Sequence, residues 1–156
     1  MKTKTYKLRV AAPYTFEGLV QLGNYDWVAP EVREKFFPLR ARREQDLKLK
    51  LVDCSFLGRE VETQVVLSHV ASKDLWPANT LQLLAFGCHF KDVQRHAFVV
   101  ALNAKGILKP AERNSLSVLI LAGFTLGRSL TVRQYDGKLP RHVWLTDRYK
   151  FLCVSK

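Results

Sequence analysis

The sequence is poor in the residues that build disulfide frameworks and metal sites. Three of its 156 residues are cysteine, Cys54, Cys88 and Cys153, and their spacings are unrelated. An odd number of cysteines without a repeated spacing argues against a disulfide framework and favours a reducing compartment. No Cys-x-x-Cys or His-x3–5-His pair is present. The sequence therefore predicts no structural zinc site.

Long apolar runs are also missing. No stretch approaches the ~20 apolar residues that a membrane-spanning helix needs. The N-terminal residues 1–7 are charged and lack the apolar run of a signal peptide. We therefore expect a cytoplasmic protein without a membrane partner. Because 47% of its residues are hydrophobic, the chain can form a single domain, residues 1–156, with its own core.

Acidic residues are scarce, and this scarcity is uneven along the chain. The sequence has 14 Asp and Glu against 25 Lys and Arg, a net charge of +11. Residues 1–50 carry a net charge of +5, residues 51–100 carry −1, and residues 101–156 carry +7. A field of this sign attracts polyanions and raises their encounter rates. The alternative is a solvated basic surface that only keeps the protein soluble.

Few residues point to catalysis. Cys88, with His89 or His96 and with Asp92, could supply a nucleophile, a base and an orienting group from one loop. No glycine-framed turn surrounds any serine or cysteine, however, and the acids within 53–62 stand where a helix is predicted to begin. We therefore predict a protein that is not an enzyme and needs no cofactor. A small cysteine- or metal-dependent enzyme is the less favoured alternative.

The clearest local signals belong to helices. We predict helices at about 15–22, 57–72 and 80–87. Asn79, followed three residues later by Gln82, fits a capping box, and Gly87 is predicted to end that helix in the left-handed conformation. The segment 57–70 also alternates like a strand and carries β-branched residues, so a hairpin near Gly58 fits its pattern equally well.

The rest of the chain has the patterns of strands. Residues 5–11 and 46–54 alternate, whereas residues 98–102 form the short apolar run of a strand buried on both faces. Four further short strands are predicted at 116–121, 130–135, 142–145 and 149–154. The fold class is therefore α+β, with short N-terminal helices, a mainly antiparallel sheet and a C-terminal third rich in short strands.

Several motifs resemble a family of small uncharacterised bacterial and phage proteins. They are Gly23-Asn24-Tyr25-Asp26-Trp27, Trp76-Pro77-Ala78-Asn79, Ala85-Phe86-Gly87, Gln94-Arg95 and Gly127-Arg128. The end of the chain, from Trp144 to Val154, is similar as well. The resemblance implies a C-type-lectin-like C-terminal part, a helix within 57–70 and no enzymatic activity. The chain departs from the family pattern at Trp76, which replaces an arginine, and at Asp74, which replaces a glycine.

Binding is the function that the charge pattern favours. Basic residues occur near both ends, among them Lys48, Lys50 and Arg128, and they alternate with aromatic residues as phosphate neutralisation with base stacking requires. Trp144 is predicted to belong to the core instead. We expect nucleic acid or an acidic protein as the partner, and a lectin-like protein-interaction module as the alternative function. The candidate binding residues are Arg40, Arg42, Arg43, Arg133, Tyr135, Arg141, Arg148 and Lys150.

Overall fold

A computed structural model describes residues 2–11, 14–39, 43–106, 108, 115–124, 127–136 and 141–155. Within these ranges the fold is α+β, as the sequence predicts. The helices span Phe16–Gly23 (α1), Thr63–Ala71 (α2) and Thr80–His89 (α3). In the part of the chain that the structure describes, none of the helices has the length and apolar character needed to cross a membrane.

Most of the strands belong to one large sheet, in the order β1-β3-β10-β6-β7-β8-β2, with β5 also paired to β10. A small second sheet joins β4 to β9. Pairing is antiparallel except between β6 and β10 and between β2 and β8. The strands span Thr3–Val10 (β1), Trp27–Val28 (β2), Gln45–Val52 (β3), Glu60–Glu62 (β4), Leu75–Pro77 (β5), Phe98–Gly106 (β6), Ser115–Phe124 (β7), Gly127–Asp136 (β8), Val143–Leu145 (β9) and Tyr149–Ser155 (β10).

The large sheet has a hydrophobic core on each side. Because side chains alternate along a strand, Leu152 of β10 packs against α1 and α3, whereas Phe151 and Cys153 pack against α2 and the small sheet. We call these two sides the α1/α3 face and the α2 face. The buried Trp144 of β9 lies in the core of the α2 face, which confirms its predicted place.

The predicted starts of α1 and α3 are confirmed by their side-chain caps. Asn79 accepts a hydrogen bond from the Gln82 backbone N–H at 3.1 Å, and the Gln82 side chain accepts one from the Asn79 N–H at 2.9 Å. Thr15 caps α1 by accepting a hydrogen bond from the Gly18 N–H at 2.9 Å. Each cap satisfies backbone donors that have no partner within the helix.

The predicted end of α3 is wrong. The helix continues past Gly87 to His89, so Gly87 lies inside it. A Cβ atom at this position would overlap the hydroxyl oxygen of Tyr25 and lie 3.1 Å from a methyl carbon of Leu121. Gly87 therefore allows α3 to pack closely against its neighbours, and it does not terminate the helix.

The ambiguous segment 57–70 contains both kinds of structure. A short 3-10 turn at Ser55–Leu57 ends at Gly58, whose φ of 128° favours glycine. Strand β4 follows, and α2 begins at Thr63. The helix that the resemblance implies is present, but it is shorter than the predicted range 57–72 because β4 occupies part of that range.

Asp74 adopts the left-handed conformation in the turn after α2. Its φ is 54°, and its N–H donates a hydrogen bond to the carbonyl of Ala71 at 3.1 Å. A left-handed residue with a Cβ atom is under steric strain that glycine avoids. A glycine, which the resemblance would lead us to expect here, would adopt this turn without that strain.

Several of the motifs that carry the family resemblance meet in one buried polar network around Arg128. The guanidinium donates to the carbonyl of Gly23 at 2.7 Å, to that of Gly87 at 2.9 Å and to the Gln94 side-chain oxygen at 3.0 Å. It also lies over the ring of Tyr25, 5.0 Å from the centroid. Arg128 is 6% exposed. It therefore holds elements together and is not available to a partner in solution.

Candidate polyanion-binding surface

The structure describes part of the predicted binding set. Arg40 and Arg42 lie outside the described residues, as does the side chain of Tyr135. Arg43 is exposed just before β3, and its carbonyl accepts a hydrogen bond from the Tyr14 hydroxyl at 3.1 Å. The remaining four predicted residues, in and around the last strands, are Arg133, Arg141, Arg148 and Lys150.

Arg133 joins an aromatic cluster on the α2 face. Its guanidinium donates a hydrogen bond to the Tyr149 hydroxyl at 3.0 Å and lies 5.9 Å from the centroid of that ring. Tyr149 in turn packs edge-on against Phe98 and Trp144. Tyr149 is buried and Trp144 fully so. Neither ring is therefore free to stack on a base, and for Trp144 this agrees with its predicted place in the core.

Arg141 and Arg148 are exposed at the two ends of β9. Arg148 precedes β10 and therefore lies in a turn, and its carbonyl accepts a hydrogen bond from the Phe98 N–H at 2.9 Å. The backbone at Arg148 is thus fixed next to the aromatic cluster. Two exposed guanidinium groups and Arg133 belong to neighbouring elements on this side of the molecule.

Lys150 lies on the opposite face of the sheet from Arg133. Its Nζ forms an ion pair with Asp53 at 2.9 Å and donates to the Thr146 carbonyl at 3.2 Å. Partial burial of Asp53 acts to raise its pKa, but hydrogen bonds from Ser55 and the charge of Lys150 outweigh it and hold that pKa below its usual range. The predicted basic residues therefore do not form one continuous face.

A second basic group, which we call the lysine ribbon, consists of Lys7 on β1 and Lys48 and Lys50 on β3. Register places Lys7 directly opposite Lys48, and Thr5 opposite Lys50. Their side chains point away from Leu8, Leu47 and Leu49, which are buried in the α1/α3 core. Lys7 and Lys48 are exposed and Lys50 is half-buried.

The three ammonium groups of the lysine ribbon have no acidic partner among the described residues. Arg9, by contrast, pairs with Glu44 further along the same two strands. Like charges directly opposite each other on a sheet are destabilising. Asp46 lies on the same face two residues before Lys48 and borders a shallow concavity with Lys7 and Lys48. One nearby carboxylate and three lysines leave this part of the sheet with a local excess of positive charge.

Sequence reasoning named Lys48 and Lys50 as basic residues but missed Lys7 as their neighbour. The alternation of lysine and leucine in 47–51 placed the two lysines on one solvated face of a strand. The pairing of β1 with β3 brings residues about forty positions apart into contact, and no local pattern reports that register. Lys7 could have been found from the alternation in β1 together with a correct strand order.

The residues considered for catalysis lie around two different concavities. Cys88 and His89 border a depression between α1 and α3, where the Cys88 thiol donates to the Leu19 carbonyl at 3.1 Å. Asp92 and His96 border a separate cleft. Burial raises the pKa of Cys88 to about 11, which keeps it a thiol at neutral pH. His89 shares the depression with Cys88, but its ring nitrogen contacts the Ala85 carbonyl at 2.9 Å, and the described residues show no hydrogen bond between the two side chains.

Potential metal ligands are dispersed in the same way. The ranges that the structure describes contain no group of three or more His, Cys, Asp or Glu side chains that could hold a metal ion.

Comparisons with protein-family models, curated proteins and solved structures found no match. The candidate surface is defined by its basic residues: the lysine ribbon is one group, and Arg133, Arg141 and Arg148 are a second.

Proposed function

We propose that this protein is a non-enzymatic binding protein that docks nucleic acid through the lysine ribbon. The observation that carries the proposal is the cross-strand pair of Lys7 and Lys48, with Lys50 next to Lys48 on the same face and without an acidic partner in the described residues. A phosphate backbone would supply the missing negative charge. The release of its counterions would then contribute most of the binding free energy.

The spacing of the ribbon suits a regularly charged polymer. Residues two apart on a strand are separated by about 6.7 Å, whereas directly opposed residues are closer, about 5 Å between Cβ atoms. Two or three ammonium groups at such spacings can contact successive phosphates of one strand. Because lysines act as point charges, this binding is expected to be independent of sequence.

Several basic residues outside the lysine ribbon are already engaged in internal contacts. Arg128 is buried, Arg9 pairs with Glu44, and Lys150 pairs with Asp53. Within the described residues the net charge therefore overstates the number of basic groups that a partner can reach. The lysine ribbon remains a compact group that can meet a phosphate backbone without breaking an internal ion pair.

The experiment that tests this function is an electrophoretic mobility shift on duplex and single-stranded DNA and RNA. The test variant replaces Lys7, Lys48 and Lys50 with glutamine. The matched control replaces Lys35, Lys73 and Lys105, which are exposed on other elements, and removes the same total charge. We expect the ribbon variant to bind at least tenfold more weakly than the control variant, at equal ionic strength.

Two results would overturn the proposal. The first is that the wild-type protein binds none of these nucleic acids at low salt. The second is that the ribbon variant and the control variant lose affinity equally, since binding would then follow net charge alone. If nucleic acid fails but a strongly acidic protein binds in a ribbon-dependent way, the acidic-protein alternative is favoured instead.

A further inference from the structure

A cleft of about 770 Å³ opens at one end of the α1/α3 face, away from the exposed side of the lysine ribbon. Strand β1 borders it on one side, and the segment that joins α3 to β6 borders it on the other. Its size falls within the range of small-molecule sites in proteins.

The rim of the cleft is positively charged. Lys2, Lys4 and Lys150 contribute three ammonium groups, against the carboxylates of Asp53 and Asp92. Lys150 and Asp53 already neutralise each other at 2.9 Å. Lys2 and Lys4 have no acidic partner among the described residues, so their charges remain available to an anion.

The floor of the cleft is apolar and partly aromatic. Leu51, Val93 and Ala97 are half-buried there, and the ring of Tyr6 lies beneath them in the core. The ammonium of Lys4 stands 5.3 Å from the centroid of the Tyr6 ring, so a cation–π contact holds it beside the floor. The cleft thus combines an apolar surface with two positive groups at its edge.

We propose that this cleft binds a nucleotide with a terminal phosphate, the base on the apolar floor and the phosphate between Lys2 and Lys4. A free inorganic anion would leave the apolar floor exposed, and a purely apolar ligand would leave two ammonium groups without a counter-charge. A nucleotide satisfies both parts. The nucleotide can be free in solution or can be the phosphorylated end of a nucleic-acid strand, because the contacting chemistry is the same.

The cleft opens on the opposite face of the sheet from the lysine ribbon, so binding to each can be measured separately. Isothermal titration calorimetry would use adenosine 5′-monophosphate, adenosine and ribose 5-phosphate as probes on the full chain. We expect the monophosphate to bind, and each fragment to bind at least tenfold more weakly, because each lacks one of the two contacts. Replacing Lys2 and Lys4 with glutamine should weaken the monophosphate about tenfold or more.

The control variant replaces Lys35 and Lys73, which are exposed elsewhere on the protein, with glutamine. It removes the same total charge and should leave nucleotide affinity unchanged. Single-stranded oligonucleotides with a 5′-phosphate or a 5′-hydroxyl distinguish the two sources. If the 5′-phosphorylated oligonucleotide binds more tightly and Lys4→Gln removes that preference, the site belongs to strand ends. If the two oligonucleotides bind equally and the monophosphate still binds, the site belongs to free nucleotides. The proposal is overturned if the monophosphate does not bind at millimolar concentration and the 5′-phosphorylated oligonucleotide is not preferred. It is also overturned if replacing Lys2 and Lys4 changes neither the monophosphate affinity nor that preference.

Discussion

Lys48 is a residue at which the proposed binding would come at the cost of stability. Lys48 is paired directly with Lys7 across the two strands. Like charges in such a pair are destabilising, and cross-strand pairs act on a scale of about 0.2–1 kcal/mol. We predict that Lys48→Gln raises the free energy of unfolding by that amount in urea denaturation, while it weakens nucleic-acid binding. Lys48→Arg keeps the charge and should change neither property. A loss of stability in Lys48→Gln would show that the pair is not repulsive.

Asp74 is a residue whose backbone conformation opposes its side chain. It has a φ of 54°, and the left-handed region costs a residue with a Cβ atom roughly 1–2 kcal/mol. Glycine removes this cost but gains entropy in the unfolded chain. We therefore predict that Asp74→Gly stabilises the protein by about 0.5 kcal/mol, measured by urea denaturation. Asp74→Ala keeps the Cβ atom and should give no gain.

The pKa of His142 depends on the charge of Arg133. Burial lowers its pKa below the usual 6.5, and the nearby Arg133 guanidinium lowers it further. The folded state therefore favours the neutral imidazole, so His142 contributes stability that is complete above pH 6.5 and is lost as the pH falls through the lowered pKa. In an NMR titration, we predict that Arg133→Gln raises the pKa of His142 but leaves it below 6.5. Arg133→Lys should leave it low.

At the scale of elements, Gly87 shows how packing outweighs helix propensity. Alanine is a better helix former than glycine by about 1 kcal/mol, but its Cβ atom would overlap the Tyr25 hydroxyl oxygen. Overpacking of this kind costs about 1–3 kcal/mol. We predict that Gly87→Ala lowers the free energy of unfolding on balance. The same substitution in a Tyr25→Phe background should cost less, because the hydroxyl is absent, and equal costs would contradict the overlap.

Local patterns predicted the elements that local interactions determine. The capping box of α3 needs only Asn79 and Gln82, three residues apart, and it is present as expected. The buried strand β6 follows from its unbroken apolar run. The 57–70 segment was not resolved by pattern, because a strand of three residues and a helix of nine share one stretch of β-branched residues.

Long-range contacts determined the burial and grouping of basic residues, which sequence patterns could not predict. Arg128 reaches carbonyl groups of α1 and α3, so a residue that counted as surface charge became a buried connector. Lys150 and Arg133 fall on opposite faces because Arg133 contacts Tyr149, and Lys150 is the next residue of β10. The candidate site was therefore predicted in its charge and only partly in its residues, since the lysine ribbon depends on the β1–β3 register.

At the scale of the whole molecule, the net charge of +11 has several roles. Part of it is buried or paired, part surrounds the cleft, and part forms the lysine ribbon. Overall charge steers any polyanion toward the protein, so a fall in affinity on removing charge is not specific to one surface. The number of phosphates contacted is specific, because it sets the dependence of affinity on salt.

The most direct measurement is the slope of log affinity against log salt concentration on one duplex. Each phosphate that the protein neutralises contributes about 0.9 to the magnitude of that slope. We predict that replacing Lys7, Lys48 and Lys50 with glutamine lowers the magnitude by about 0.9 for each phosphate no longer neutralised, up to roughly 2.7. The control that replaces Lys35, Lys73 and Lys105 should keep the wild-type slope. A ribbon variant that keeps the wild-type slope would contradict the central claim.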